Sequence, residues 1–95
     1  MIICACIEIW DYDNPADVLY VCGVRHGDCY TTMTRMNLPP KSKRQETEGF
    51  LDQHGNFYDR YEAFNNVRAT GQLCATALAY KLEKGETELY SEDLW

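Results

Sequence analysis

Two runs of apolar residues near the start of the chain define the first predicted elements. Residues 2–10, with the sequence IICACIEIW, are mostly β-branched or apolar and contain no helix breaker, which predicts a largely buried strand. A second apolar run over 18–24 predicts a partner strand. The polar segment 11–17 between the two runs contains Asn14 and Pro15, which are typical of turns. The pattern therefore predicts an antiparallel hairpin.

The next segments are less regular. Residues 29–36 contain one tyrosine and three threonines, and this β-branched content favours a strand, with a short helix as the alternative. Residues 37–48 are the most polar part of the chain, and Pro39 and Pro40 interrupt any regular element there. We predict an exposed loop. The alternative is a loop whose three basic residues arch over an anionic ligand; these are Lys41, Lys43 and Arg44.

The strongest turn and helix signals follow a short predicted strand over 47–52. Gly55 lies in a cluster of turn-forming residues and can adopt the positive φ that a tight turn requires. Asp59 is placed to accept hydrogen bonds from the first turn of a helix, and Glu62, three residues later, completes a capping box. Gly71 is a natural C-terminal stop. We therefore predict a turn followed by one capped helix.

Two further segments complete the predicted fold. Residues 72–82 contain good helix formers and apolar residues at helical spacing, which predicts a second helix or a continuation bent at Gly71. Residues 84–86 predict a turn, and the tail over 88–95 predicts a short strand or an extended docking segment. The elements together predict one α+β domain over residues 1–95, with N-terminal antiparallel strands and one or two helices packed on the sheet.

Length and charge restrict the possible functions. A chain of 95 residues buries one modest core, and a net charge of −6 disfavours a protein that tracks the phosphates of DNA or RNA. No run reaches the roughly 20 apolar residues that span a bilayer. The N-terminus has no basic residue before its apolar run, and an odd number of cysteines, five, fits reduced thiols better than a disulfide framework. We therefore expect a cytoplasmic protein.

The chain contains no recognisable enzyme motif. The cysteines and histidines lack the CxxC-like spacing of zinc sites, and Cys4 and Cys6 are predicted to point to one face, into the core. Cys29 lies near His26, but no further group orients the pair for nucleophilic catalysis. Phosphate-binding loops and dinucleotide fingerprints are absent from the sequence. We therefore expect no catalytic activity, no metal and no other cofactor.

Groups suited to ligand binding are concentrated in residues 49–72. Aromatic faces, amides and guanidinium groups are the parts that stack a base, read its edge and pair with phosphate. A structural role is the simpler interpretation of each residue, because aromatic residues usually fill the core and helical arginines usually face solvent. The residues concerned are His54, Phe57, Tyr58, Arg60, Tyr61, Phe64, Asn65, Asn66, Arg68 and Gln72, with Arg25 and His26 at the end of the second predicted strand.

Several short blocks of the sequence resemble those of a known group of small phage-encoded proteins. The blocks are GVRHGDC at 23–29, GFL at 49–51, GNFYDR and EA within 55–63, GQ at 71–72 and LYSEDLW at 89–95. They are most similar to the first-described family of Thoeris anti-defence proteins. Members of that family are nucleotide sponges that bind cyclic ADP-ribose isomers made by bacterial TIR-domain enzymes, and some also hold cyclic oligonucleotides.

The resemblance implies a function without catalysis, in which tight binding lowers the free concentration of an immune signal in the infected bacterial cell. It also implies a mixed α/β homodimer or larger homo-oligomer, with ligand pockets recessed at subunit interfaces, and it favours the helical alternative for 29–36. An 11.0 kDa protomer is too small to enclose a dinucleotide-sized ligand alone. By motif position, the implied ligand-binding residues are Arg25, His26, Asn56, Phe57, Arg60 and Gln72.

A different class of function is a phage accessory protein that binds and inhibits a host protein. An acidic, aromatic-rich surface that includes the tail Tyr90–Trp95 could dock on a basic partner. Against this role for the tail, we expect Leu94 and Trp95 to pack back onto the domain or across a dimer interface.

Overall fold

A four-stranded antiparallel sheet, in the order β2-β1-β3-β4, forms the centre of the protein in a computed structural model that describes residues 1–95. The strands are β1 (Ile2–Asp11), β2 (Asn14–Gly23), β3 (Arg44–Asp52) and β4 (Phe57–Asp59). The helices are α1 (His26–Met33), α2 (Arg60–Thr70) and α3 (Ala75–Glu83), and short 3-10 turns occupy Lys41–Lys43 and Ser91–Asp93. The predicted α+β class is confirmed.

The β1–β2 hairpin is confirmed, but its second strand is longer than predicted. Strand β2 begins at Asn14, whereas the sequence predicted a loop as far as residue 17. Pro15 is accommodated because β2 is an edge strand, where a missing N–H need not interrupt a ladder. In the register of the hairpin, Cys6 lies opposite Cys22.

The strand favoured by the composition of 29–36 is wrong, and the helical alternative is confirmed, because α1 occupies most of this segment. The Asp28 carboxylate accepts a hydrogen bond from the backbone N–H of Arg25 at 3.0 Å, which helps to begin the helix. Cys29 and Met33 are one helical turn apart, and both are buried in the core. Burial of this face against the sheet outweighs the strand preference of the threonines.

The loop prediction for 37–48 is also wrong at its C-terminal end. Strand β3 begins at Arg44 and pairs with β1 along its whole length, from Asp11↔Arg44 to Ile2↔Asp52. Backbone hydrogen bonds to the buried strand β1 therefore stabilise β3 from Arg44 onward, although the polar composition of this segment predicted a loop.

The predicted turn and capped helix are confirmed. Gly55 has a φ of 79° and Gly71 a φ of 75°. The Asp59 carboxylate accepts a hydrogen bond from the N–H of Glu62 at 2.8 Å, and the Glu62 carboxylate accepts one from the N–H of Asp59 at 3.1 Å. The turn is also held by Asp52, which is buried and lies at the end of β3.

The two C-terminal segments differ in part from their predictions. Helix α3 is separate from α2 and begins at Ala75, after the left-handed Gly71. The tail is neither a strand nor an extended docking segment, because it forms a 3-10 turn over Ser91–Asp93. Leu94 and Trp95 pack against the core of the same chain, as expected. None of the helices is long and apolar enough to cross a membrane.

The two faces of the sheet have different environments. One face carries Ile7, Ile9 and Phe50, which pack with helical side chains such as Phe64 and Val67 into a single core. The opposite face is not covered by a helix. The cysteines of β1 share this second, open face, as expected, and Cys6 is fully buried there while Cys4 is half-buried, although neither belongs to the main cluster.

The open face is packed closely around Gly49 of β3. The Phe57 ring lies over this glycine, so that a side chain there would place its Cβ 2.5 Å from Phe57 Cζ and against the carbonyl oxygen of Tyr58. The Phe57 ring also contacts Tyr20, with 5.7 Å between ring centroids. Strand β4 can therefore pair with β3 only because residue 49 lacks a Cβ.

We predict that Gly49→Ala lowers the free energy of unfolding by about 2 kcal/mol, because the added methyl group forces apart β3 and β4. Urea unfolding followed by circular dichroism measures this change. Gly27→Ala is the matched control, since no atom lies within 4 Å of its Cβ position, and it should leave the stability unchanged or slightly raised. Equal effects of the two substitutions would contradict the role of Gly49.

Candidate functional site

His26 joins three separate parts of the chain at the start of α1. Its Nδ1 lies 2.8 Å from the Ser91 hydroxyl, and its Nε2 lies 2.8 Å from the carbonyl oxygen of Gly49. A carbonyl only accepts, so Nε2 carries the proton and Nδ1 accepts from Ser91. The Ser91 oxygen in turn accepts a hydrogen bond from the backbone N–H of His26 at 3.2 Å. A neutral imidazole therefore satisfies both ring nitrogens.

The environment of His26 disfavours its charged form. Burial lowers the pKa of His26 below its ordinary value of 6.5, although the hydrogen bond to Gly49 and the charge of Glu48 oppose the shift. The charges of Arg60 and Glu92 also act on this ring, in opposite directions. The imidazole therefore serves as a neutral structural link at physiological pH.

The tail is anchored beside this histidine. The guanidinium of Arg25 donates a hydrogen bond to the backbone oxygen of Trp95. The Phe50 ring contacts His26 edge-on at 5.1 Å between centroids and the Trp95 ring at 6.3 Å. Thus Arg25 and His26, two of the predicted ligand-binding residues, hold the tail against the sheet.

Arg60 lies on the same side of the sheet, at the start of α2. Its guanidinium pairs with Glu48 at 2.5 Å and lies 4.8 Å from the centroid of the Tyr90 ring. Its Nε is buried without a hydrogen-bond partner. The backbone carbonyl of Arg60 accepts a hydrogen bond from the N–H of Leu89 at 2.9 Å, which attaches the tail to this helix.

A shallow groove of about 390 Å³ lies beside Arg60. It has one guanidinium against four carboxylates, and the charged residues are Arg60, Glu46, Glu48, Asp59 and Glu88. The potential inside a single chain therefore disfavours an anionic ligand at this groove.

The other three predicted residues lie elsewhere. Phe57 is on the open face, over Gly49. Gln72 donates to the carbonyl oxygen of Ile2 at 2.7 Å and accepts from its N–H at 2.8 Å, which ties the end of α2 to the start of β1. Arg25, His26 and Arg60 therefore come together on one side of the sheet, whereas Phe57 packs over Gly49 on the other.

Asn56 belongs to the turn between β3 and β4. Its N–H and its amide nitrogen donate to the Asp52 carboxylate at 2.9 and 3.1 Å, and the Tyr58 hydroxyl donates to the same group at 2.9 Å. Burial acts to raise the pKa of Asp52, but these bonds and one from the N–H of His54 outweigh it and hold the pKa well below its usual value. The hydrogen bonds to Asp52 therefore explain Asn56 as a structural residue of the turn, without a ligand.

Lys81 is an important residue that the sequence pattern did not reveal. Its side chain is only 2% exposed, and its ammonium pairs with Asp93 at 2.7 Å and with Glu86 at 2.9 Å. It also lies 4.9 Å from the centroid of the Tyr90 ring. Burial acts to lower the pKa of Lys81, but the hydrogen bonds to Asp93 and Glu86 outweigh it and raise the pKa. A lysine on an amphipathic helix gives no local signal of such burial.

Over residues 1–95 the chain matches the model of the Phage T4 y16D protein family. The chain belongs to this family and is therefore a phage protein. No curated protein and no solved structure gives a match.

We predict that the stability of the protein falls as the pH is lowered below about 6.5, because the unfolded state binds a proton that the buried His26 binds less readily. Urea unfolding at a series of pH values between about 7.5 and 5.5 measures this slope. His26→Gln is less stable at every pH but should lose this part of the pH dependence. Identical slopes for the two proteins would show that His26 does not titrate as described.

We predict that Lys81→Ala lowers the free energy of unfolding by about 3 kcal/mol, because the carboxylates of Asp93 and Glu86 lose their common partner. Lys84→Ala removes an exposed lysine from the same part of the chain and should change the stability by less than about 0.5 kcal/mol. Thermal and urea unfolding measure both changes. A small effect of Lys81→Ala would mean that the buried ion pairs do not hold the tail.

Proposed function

We propose that this phage protein binds and sequesters a cyclic nucleotide immune signal, without catalysis, in the cytoplasm of the infected bacterial cell. The ligand class is a cyclic ADP-ribose isomer or a cyclic oligonucleotide. Binding lowers the free concentration of the signal below the level that its effector requires.

The convergence of distant sequence blocks in space carries this proposal. The blocks at 23–29, 49–51 and 89–95 meet through the two ring nitrogens of His26, and the 55–63 block joins them through Arg60. These are the blocks whose sequences resemble the sponge family. Their assembly into one structural unit supports a shared binding architecture.

Arg60 is the best-placed recognition residue in this unit. Its Nε is a buried donor that no group of the chain satisfies, and Tyr90 supplies an aromatic face beside its guanidinium. A guanidinium and an aromatic ring are suited to a phosphate and a base, respectively.

We propose that a second subunit completes the site, in a homodimer or a larger homo-oligomer. The groove at Arg60 carries more negative than positive charge, so one chain alone supplies too few cations for a pyrophosphate. Phe57 lies on the opposite face of the sheet, and Asn56 and Gln72 bind other parts of the fold, so we propose that these residues contribute to the site from a partner. Mass measurement in solution tests this, and a monomer at working concentration would contradict it.

The sponge activity is tested by mixing the purified protein with cyclic ADP-ribose isomers and cyclic oligonucleotides in a calorimeter. The protein is then denatured by heat, and the released ligand is identified by mass spectrometry. Intact ligand supports sequestration, and a chemically altered ligand would show an enzyme. No binding at micromolar concentrations would reject the proposal.

We predict that Arg60→Ala weakens ligand binding at least about tenfold, because a charge-assisted hydrogen bond to phosphate is lost. Arg68→Ala is the matched control, since Arg68 is an exposed arginine on the same helix. Calorimetric titration measures both variants, and thermal unfolding verifies that each is folded. An unchanged affinity of Arg60→Ala would remove this residue from the site.

Inhibition of a host protein is the second candidate function, and one observation favours it. The tail is not the docking element envisaged from the sequence, because it is packed on its own domain. The observation that favours a host partner is the β1–β2 hairpin, where acidic residues such as Asp13 lie among the exposed rings of Tyr12 and Tyr20.

A further inference from the structure

The β1–β2 hairpin carries a net negative charge and contains no basic residue. Residues 1–24 contain four acidic residues and no Lys or Arg, so they carry four of the six net negative charges. The acidic residues are Glu8, Asp11, Asp13 and Asp17. Large apolar side chains are exposed on the same hairpin, notably Tyr12, at 59%, and Leu19, at 43%. Acidic groups and apolar surface therefore occur side by side.

The largest cavity of the protein lies against this hairpin. It is an open groove of about 630 Å³ between the outer end of the hairpin and the segment 37–39. Ile9, Val18 and Leu38 give it an apolar lining, and the carboxylates of Asp11 and Asp17 add negative charge. None of its lining residues is basic.

Neither groove carboxylate forms a salt bridge, although Arg44, which is paired with Asp11 in the sheet, donates to the carbonyl oxygen of Pro39 at the edge of the groove. The Asp11 carboxylate accepts only neutral donors, the N–H of Asp13 at 2.9 Å and the amide nitrogen of Asn14 at 3.4 Å. Lys43, near the tip of the hairpin, forms its ion pair with Asp13 at 3.6 Å instead. Asp17 is exposed and forms no salt bridge. The groove therefore combines apolar walls with two carboxylates that form no ion pair.

We propose that this groove is a docking site for a basic amphipathic segment of a host protein. Apolar side chains of the segment pack on Val18, Leu19 and Leu38, and a Lys or Arg beside them pairs with Asp17 and Asp11. Charge complementarity selects this partner, because the groove repels anions such as nucleotides. A second copy of the hairpin is disfavoured, since an isologous contact would bring like charges together. This surface is separate from the Arg60 groove and does not depend on nucleotide binding.

Two synthetic peptides test the proposal. One is a short amphipathic peptide of leucine and lysine, and the other is its matched control with glutamate in place of lysine. Calorimetry should show binding of the lysine peptide only. In a two-dimensional NMR spectrum of the labelled protein, the peptide should shift the amide signals of residues 16–19, 37 and 38 more than those around Arg60.

Charge reversal distinguishes the groove from general electrostatic attraction. Asp17→Lys should weaken binding of the lysine peptide at least about tenfold, because a repulsive charge enters the groove. Glu83→Lys makes the same change of net charge at an exposed position of α3 and should weaken binding less than about twofold. Circular dichroism verifies the fold of both variants, whose substituted side chains are exposed.

Three results would overturn the proposal. The first is equal binding of the two peptides, and the second is equal weakening by Asp17→Lys and Glu83→Lys. The third is a doubled mass of the free protein that Asp17→Lys abolishes, which would identify a second copy as the occupant. Failure of nucleotide binding in the calorimeter would leave the prediction for this groove unchanged.

Discussion

The hydrogen bonds of the buried His26 ring join α1, the sheet and the C-terminal tail. One nitrogen binds the central strand β3 at Gly49, and the other binds the tail at Ser91. Helix α1 begins at this histidine, so the same residue fixes the helix, the sheet and the tail relative to one another. Because an unsatisfied buried nitrogen is costly, this arrangement permits only one position of the tail.

Charged residues are distributed unequally over the protein. The groove at the hairpin has no basic lining residue, whereas the groove beside α2 contains Arg60. The basic residues all follow residue 24, and several of them are used inside the fold, as Lys81 and Arg60 are in ion pairs. The hairpin keeps uncompensated carboxylates beside apolar side chains. A protein of this size therefore carries an acidic groove beside the hairpin and a separate groove that contains the Arg60 guanidinium.

Local chemistry explains which parts of the fold were predictable from the sequence. The Asp59 cap and the glycines at 55 and 71 depend on hydrogen bonds and φ angles within a few residues, so they were predicted correctly. The extent of β3 and the helical state of α1 depend on pairing and burial against β1, which the composition of either segment does not show. For the candidate site, residue types indicated binding groups, but only the fold shows that Arg25, His26 and Arg60 lie together while Phe57 lies behind the sheet.

The sequence by itself determined the hairpin, the capped helix, the α+β class and the absence of basic residues before residue 25. These features follow from periodicity, backbone restrictions and charge counts, which are properties of neighbouring residues. The tertiary structure alone decided that the tail returns to the sheet, that Lys81 is buried between two carboxylates, and that the hairpin borders an open groove. Each of these depends on contacts between residues distant in the chain, whose energies arise only when the elements pack.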